Sequence, residues 1–468
     1  MNQSKLLGQR LANSSDDYQM QQQFAESQHA AFSGEEIEEL SKTVREKLNK
    51  MFGQDIHTER NNYQFRDTMR RAIEAILNDQ QVRLGGLERQ RFVTDMMNDI
   101  LGFGPIQPLV DDETLTEIMV VGPNKVYIER NGQLQLTDIK FPSKNAVKLL
   151  IDKIVGPLGR RCDESTPNVD ARLPDGSRVS ASIDPIALDG PYITIRKFGK
   201  KTFTLQDYVG RGSASPEMVQ FLEAAINAEL NIFVSGGTGS GKTTLLNCLS
   251  NYIDPSTRIL TVEDSAELQL QQPHVERYEA RPANVEGKGA IHIRDLVIYA
   301  LRKRPDRIVV GEIRGGEAMD MLQAMNTGHD GSLTTGHANS PKQMINRLET
   351  MCLMAGLELP SKAIRETIAG AIHLIVQISR LQDGSRKITH ITEVIGMGKE
   401  AAEILGLKNY EKEVVYLQDI FRFVQTGKDE DGRVVGKFVA TGHKPLCIEK
   451  FESHGIFLPA SMFDPMEV

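Results

Sequence analysis

Residues 231–252 read NIFVSGGTGSGKTTLLNCLSNY, and the fold is decided by this stretch. An apolar run, Ile232-Phe233-Val234, ends in a glycine-rich turn; Leu245, Leu246, Leu249 and Ile253 then recur on one helical face. Gly236, Gly241, Lys242 and Thr243 fill the fixed positions of G-x-x-x-x-G-K-[ST], in the strand–loop–helix context that gives the pattern meaning. Through Gly236, Gly237, Thr238, Gly239, Ser240 and Gly241 the backbone is free to curl, so that its N–H groups point inward. The helix start adds a partial positive charge. Lys242 has the reach for terminal phosphates, the Thr243 hydroxyl can ligate magnesium, and Thr244 carries the loop into the helix. The stretch implies a bound nucleoside triphosphate with magnesium.

Outward from that loop, composition sets the bounds. A chain of 468 residues suggests about three domains. With 40% hydrophobic and 25% charged residues, and no apolar run long enough to cross a membrane, it reads as soluble and globular. No basic segment followed by an apolar block marks a secretory signal at the N-terminus. Cys162, Cys248, Cys352 and Cys447 are too scattered for a zinc site and read as reduced cytoplasmic thiols. A formal charge of −8 weighs against an extended nucleic-acid surface, so no nucleic-acid partner is expected.

The glutamine-rich residues 1–33 lack apolar periodicity and are expected to be a disordered tail. Residues 34–101 carry three helical stripes (Ile37, Leu40, Val44, Leu48; Phe65, Met69, Ile73, Leu77; Val93, Met97, Ile100, Leu101) and predict a helical bundle or arm. Residues 102–204 predict a mixed α/β, PAS-like domain. Its strands are EIMVV, KVYIE, QLQLT (after an Asn131-Gly132 turn), VDARL, SRVSASI and YITIR, and a helical stripe runs from Val147 to Leu158. Residues 205–215, rich in Gly and Ser, read as a linker. Ser215-Pro216-Glu217 then reads as a helix start. From 216 to 400 strands alternate with helices, which predicts a RecA-like domain with a mainly parallel sheet, ILTV, RIVVG and LIVQIS being the clearest strands after the first. Residues 401–468 read as an extension with a hairpin about Asp431-Gly432.

Two of these strands end in acids: Glu263, Asp264 and Glu267 after ILTV, and Glu312 after RIVVG. In a parallel sheet they converge on the edge that holds the glycine loop, where one acid is needed for the metal and another to orient an attacking water. The segment TGHDGSLTTGHANS holds His329 and His337, eight residues apart in a glycine-rich stretch. That spacing fits no zinc pair; a hydrogen-bonding sensor, with Thr335 and His337 facing phosphate, fits better. Arg302, Arg304, Arg307 and Arg314, or Arg172, Arg178 and Arg196 in the preceding domain, are candidates to neutralise charge on a transferring phosphoryl group.

In this order the motifs resemble the secretion ATPase superfamily of type II and type IV secretion and type IV pili. LGFGPIQPLVDDETLTEIMVVGPNKVYIER and ERYEARPANVEGKGAIHIRDLVIYALRKRPDR resemble its CpaF branch, the tight-adherence (Flp) pilus assembly ATPases. The resemblance implies an ATP-hydrolysing homo-hexamer on the cytoplasmic side of the inner membrane, coupled to membrane platform proteins, with ATP and Mg as cofactors. It implies that residues Gly236 to Thr244 bind phosphate, that Glu267 with Glu263 is the acid pair of the first box, and that Glu312 is the Walker B acid, a metal ligand with Thr243. His329 and His337 become the histidine-box pair, and Arg178 and Arg196 the arginines that reach phosphate. Ser265 stands where members often have proline. A nucleic-acid-transfer or helicase-like ATPase is the alternative. A guanine-reading site is weak, because NKVY (124–127) lacks the final Asp and precedes the loop.

Overall fold

The N-terminal apolar stripes fold as helices in a computed structural model, which describes residues 34–466 apart from Gln54, Arg60, Asn61, Arg83, Asn131, 200–202 and 284–286. The expected tail 1–33 and Asn131 therefore lie outside the described residues. Helices α1 (Gly34–Phe52), α2 (Tyr63–Asp79) and α3 (Gly86–Leu101) bury Leu40, Val44, Leu48, Met69, Ile73, Leu77, Val93 and Met97 in one cluster. Asn62 caps α2 by accepting the Gln64 N–H at 2.9 Å.

The rest of this first unit, which ends at Phe198, is an antiparallel sheet. Its strands are β1 (Leu115–Val121), β2 (Lys125–Arg130), β3 (Gln133–Leu136), β4 (Asn168–Arg172), β5 (Arg178–Ser182) and β6 (Tyr192–Arg196), in the order β3-β2-β1-β6-β5-β4. Ile118, Val120, Val179, Ala181, Ile193 and Ile195 alternate inward, against Val147, Leu150, Ile151 and Ile154 of α4 (Lys144–Val155). On the other face the register sets Arg172 opposite Arg178, Arg178 opposite Arg196, and Arg196 opposite Glu117.

The second unit runs from Gly199. Helix α5 (Pro216–Asn227) opens as the sequence predicts, with Ser215 Oγ accepting the Met218 N–H at 3.3 Å. Strands β7 (Ile232–Gly236), β8 (Ile259–Glu263), β9 (Val275–Glu279), β10 (Arg307–Val310), β11 (Leu333–Gly336) and β12 (Leu374–Arg380) pair in parallel in the order β12-β7-β11-β10-β8-β9. Strands β13 (Arg386–Met397), β14 (Val415–Lys428) and β15 (Val434–Ala440) continue the sheet antiparallel beyond β12. Ile232 and Val234 enter one apolar core and Phe233 the other, so both faces of the sheet are covered. With β11 lying between the glycine-loop strand and the Glu312 strand, this is the RecA-like arrangement.

Two segments differ from expectation. Residues 205–215 are not a free linker: Leu205–Gly210 is a helix whose Leu205 and Tyr208 are buried in the main core. The signal was a capping box, in which Thr204 N donates to Asp207 Oδ2 at 2.8 Å and Thr204 Oγ1 accepts the Asp207 N–H at 3.3 Å. Nor is 401–468 an appendage. Beyond supplying two strands of the sheet, it sends Phe421, Phe451 and Phe463 onto Phe221 of α5, with ring centroids 5.8, 5.5 and 6.0 Å away.

Candidate phosphate-binding site

At the end of β7, Gly236 leaves no room for a side chain: a Cβ there would strike the Ile378 carbonyl and Ser240 Oγ. Gly239 (φ 69°) and Gly241 (φ 97°) adopt the left-handed conformation that only glycine takes readily, and the chain then enters helix α6 (Lys242–Ser250). Leu245, Leu246 and Leu249 anchor that helix in the core. Thr238 lies within the loop, and Thr243 and Thr244 follow Lys242 in the first helical turn, half-buried. The Lys242 ammonium is drawn back into the loop. It donates to Gly237 O at 3.1 Å and stands 3.3 and 3.4 Å from the two ring nitrogens of His337. Burial lowers its pKa, while the carboxylates of Glu312 and Glu267 work the other way.

Those carboxylates reach the loop because β8 and β10 run parallel, with Val262 opposite Val310. Glu312 Oε1 lies 2.6 Å from His337 Nε2, and its Oε2 accepts from Arg314 Nη2 at 2.7 Å. Burial, and next the Lys242 charge, push the His337 pKa below its ordinary value, leaving a neutral ring at pH 7. The Glu267 carboxylate acts electrostatically on both Lys242 and Arg314.

Glu263, paired with Glu267 in the sequence reading, turns elsewhere. It is 2% exposed, and its Oε2 accepts the N–H groups of Glu267 at 2.6 Å and Leu268 at 2.9 Å. Burial raises its pKa. This carboxylate shapes the loop that presents Glu267.

His329 also departs from expectation. Strand β11 runs parallel to β7, with Leu333 opposite Ile232 and Gly336 opposite Ser235, so a residue before Leu333 lies at the edge away from the glycine loop. There His329 Nδ1 is 3.3 Å from Ala324 O. The short buried strand between the two histidines separates them. Arg307 belongs to that far edge too, 2% exposed, donating to Ile226 O at 3.0 Å. Thr335 spends its hydroxyl on Gly311 O, 2.8 Å away, tying β11 to the end of β10. Arg178 and Arg196 stand in the first unit, in the arginine row with Arg172.

One contact on the loop has no counterpart in the sequence reading. Arg386, the first residue of β13, donates from Nε to Gly239 O at 3.0 Å. Its only sequence signal is an arginine closing the turn after a strand, LIVQISRLQDGSR, which no spacing rule links to residue 239.

Among the described residues, no group of three or more His, Cys, Asp or Glu side chains forms a self-sufficient metal site. The groups available to a metal there are the Thr243 hydroxyl in the first turn of α6 and the Glu312 and Glu267 carboxylates, whose charges act on Lys242. Such sparse, hard oxygen donors fit a magnesium ion that shares its coordination with phosphates and water.

The chain is similar to several known proteins. The family model described as type II/IV secretion system protein matches residues 99–409. A putative conjugal transfer protein of Mycobacterium tuberculosis is 35% identical over 314 residues, 66% of this chain and 89% of the relative. Conjugal transfer protein TrbB of Rhizobium radiobacter is 33% identical, over 60% of this chain and 85% of its own. Type IV secretion system protein PtlH of Bordetella pertussis is 32% identical, over 61% and 92%. Among solved structures, the VirB11 ATPase of the Brucella suis type IV secretion system is 29% identical, covering 61% of this chain and 91% of that one, with a TM-score of 0.34.

Proposed function

The chain belongs to the type II/IV secretion system protein family, and from that premise we propose that it is an ATP-hydrolysing motor, acting as a homo-hexamer on the cytoplasmic side of a membrane assembly platform. The observation that carries the reading is the set of contacts at the glycine loop, Lys242 with Gly237 O and His337, and His337 with Glu312, with the Glu267 charge acting on Lys242. In this reading, ATP seats its phosphates on residues 236–244, and Lys242 exchanges the Gly237 carbonyl for a phosphate oxygen. Glu312, released from His337, orients the attacking water with Glu267. Thr243 and Glu312 would hold magnesium, directly or through water, and the ion when bound would neutralise charge on the phosphoryl oxygens. Arg178 and Arg196 are the candidates to meet the charge that builds on the transferring group.

The two stretches resembling the tight-adherence branch support pilus assembly as the work done. The conjugal transfer names of two relatives favour a second reading, a motor of a DNA-transfer machine. Among the described residues no helix is long and apolar enough to cross a membrane.

The test is phosphate release by the full chain, measured against protein concentration and paired with sizing in Mg-ATP. Turnover per chain should rise as a ring forms, and Lys242→Ala should lose nearly all of it while remaining folded. Unchanged turnover in that variant refutes the site. Stimulation by single-stranded DNA at physiological salt would favour the second reading.

A further inference from the structure

In a phosphate loop the amides face the anion, so the carbonyls must face away from it. Glycines on both sides of Ser240, each with positive φ, make the intervening peptides easy to turn over. A turned peptide would aim a carbonyl oxygen at the phosphate. Gly237 O is held by Ser240 Oγ at 2.9 Å, and by Lys242 at 3.1 Å until that ammonium moves to phosphate. Gly239 O is held by Arg386 Nε at 3.0 Å, a bond strengthened by the guanidinium charge. The stem of Arg386 also covers the loop, its Cδ only 3.4 Å from where a Gly241 Cβ would lie.

The arginine itself stands on a braced turn. Leu381 N donates to Ser385 O at 2.7 Å and Gly384 N to Leu381 O at 3.0 Å. Asp383 Oδ1 accepts from Ser385 N at 3.0 Å and Ser385 Oγ at 2.7 Å, and its Oδ2 accepts from Val434 N of β15 at 2.8 Å. Those bonds hold its carboxyl down at about 2, so it stays anionic. Next to Arg386, Lys387 donates to Gly212 O at 2.8 Å, and Ile388 N to Ser213 O at 2.8 Å.

We propose that Arg386 is a positioning residue of the phosphate loop, and that Asp383, by joining the β12–β13 turn to β15, lets the C-terminal strands set the loop's affinity for nucleotide. The proposal rests on the nucleotide-binding reading above and adds a control point to it.

The experiment compares the full-length chain with Arg386→Ala, Arg386→Lys and Asp383→Asn. It measures binding of a fluorescent ADP analogue with magnesium, KM and kcat for ATP, and amide hydrogen exchange of residues 236–244 without nucleotide. Arg386→Ala should raise Kd and KM about tenfold and leave kcat within about twofold, the lower end of what a bond to a charged group is worth. Loop exchange should quicken. Arg386→Lys should recover much of the loss, and Asp383→Asn should shift Kd in the same direction by less. Wild-type Kd, KM and loop exchange in Arg386→Ala would overturn the proposal. So would a fall in kcat at unchanged Kd, or a lysine variant no better than alanine. Should the wild-type chain fail to bind the analogue, the nucleotide reading falls, while loop exchange still decides whether Arg386 restrains Gly239.

Discussion

Glu263 separates a shaping role from a chemical one, and its neighbour Glu267 provides the contrast. Glu263 is 2% exposed and one oxygen accepts two backbone N–H groups, at 2.6 and 2.9 Å. Alanine there would strand both donors. Two bonds to a charged acceptor are worth about 3–6 kcal/mol, and relief of a desolvated carboxylate returns part of that, so Glu263→Ala should cost about 2–4 kcal/mol. Glu263→Gln keeps an acceptor oxygen in place and should stay within about 1 kcal/mol of wild type. Because burial raises the Glu263 pKa above 4.5, the native chain holds this proton more tightly than the unfolded chain. The stability it contributes is full below the unfolded pKa and is lost as pH rises through the folded value. Glutamine carries no such slope, so the variant should gain on wild type as pH rises from about 4 to 7. Urea unfolding at several pH values, beside ATP turnover at pH 7, is the assay. Glu263→Gln should keep most turnover, whereas Glu267→Gln should lose about 100-fold at unchanged stability. A stable Glu263→Gln that is as inactive as Glu267→Gln would refute the assignment.

Glu312→Gln should bind the ADP analogue as wild type does and hydrolyse ATP about 100-fold more slowly; equal loss of binding would make Glu312 a capture residue instead. His337 titrates below 6.5, so turnover should hold between about pH 6.5 and 8 and fall only on the acid side of that range. An acid limb of the pH–rate profile centred above 6.5 would contradict a neutral ring beside Lys242. Phe221→Ala removes a fully buried ring at the centre of three aromatic contacts and should cost about 3–5 kcal/mol in urea unfolding. A loss under about 1 kcal/mol would mean that the C-terminal segment packs independently of α5.

Most of the sheet was legible because its strands carry their own signals. Ile232-Phe233-Val234, ILTV, RIVVG and LIVQIS are apolar, β-branched runs bounded by turns, as a strand buried on both faces must be. Strand β11 escaped that filter: LTTG is short and half hydroxyl, and its burial follows from its place between β7 and β10 rather than from composition. The acids were legible as a set, since a carboxylate after a parallel strand must lie at the loop edge. Their ranking was not. Which of Glu263 and Glu267 faces Lys242 depends on a turn whose amides one of them satisfies, and that is a matter of tertiary burial. Arg386 was invisible for a similar reason, as a pairing across 147 residues leaves no periodicity.

The two histidines show how one motif can serve both ends of a sheet. Four buried residues of β11 span about 13 Å, so His329 and His337 stand at opposite edges whatever their side chains do. At the far edge a single buried side chain joins the strand entrances. Asn231 Nδ2 donates to Met325 O at 3.3 Å and Ala371 O at 2.8 Å, and its Oδ1 accepts from Ser332 N at 3.1 Å. Its backbone N–H donates to His373 Nδ1 at 2.9 Å, a ring kept neutral by burial that lowers its pKa to about 4. Strands β7, β11 and β12 thus leave a common base, and at their other ends they carry the glycine loop, His337 and the Ile378 carbonyl that crowds Gly236. A loop required to hold its amides toward an anion gains little from glycine freedom unless its strand is fixed below. The residues before β11 that look like part of a phosphate sensor are explained as that fixture.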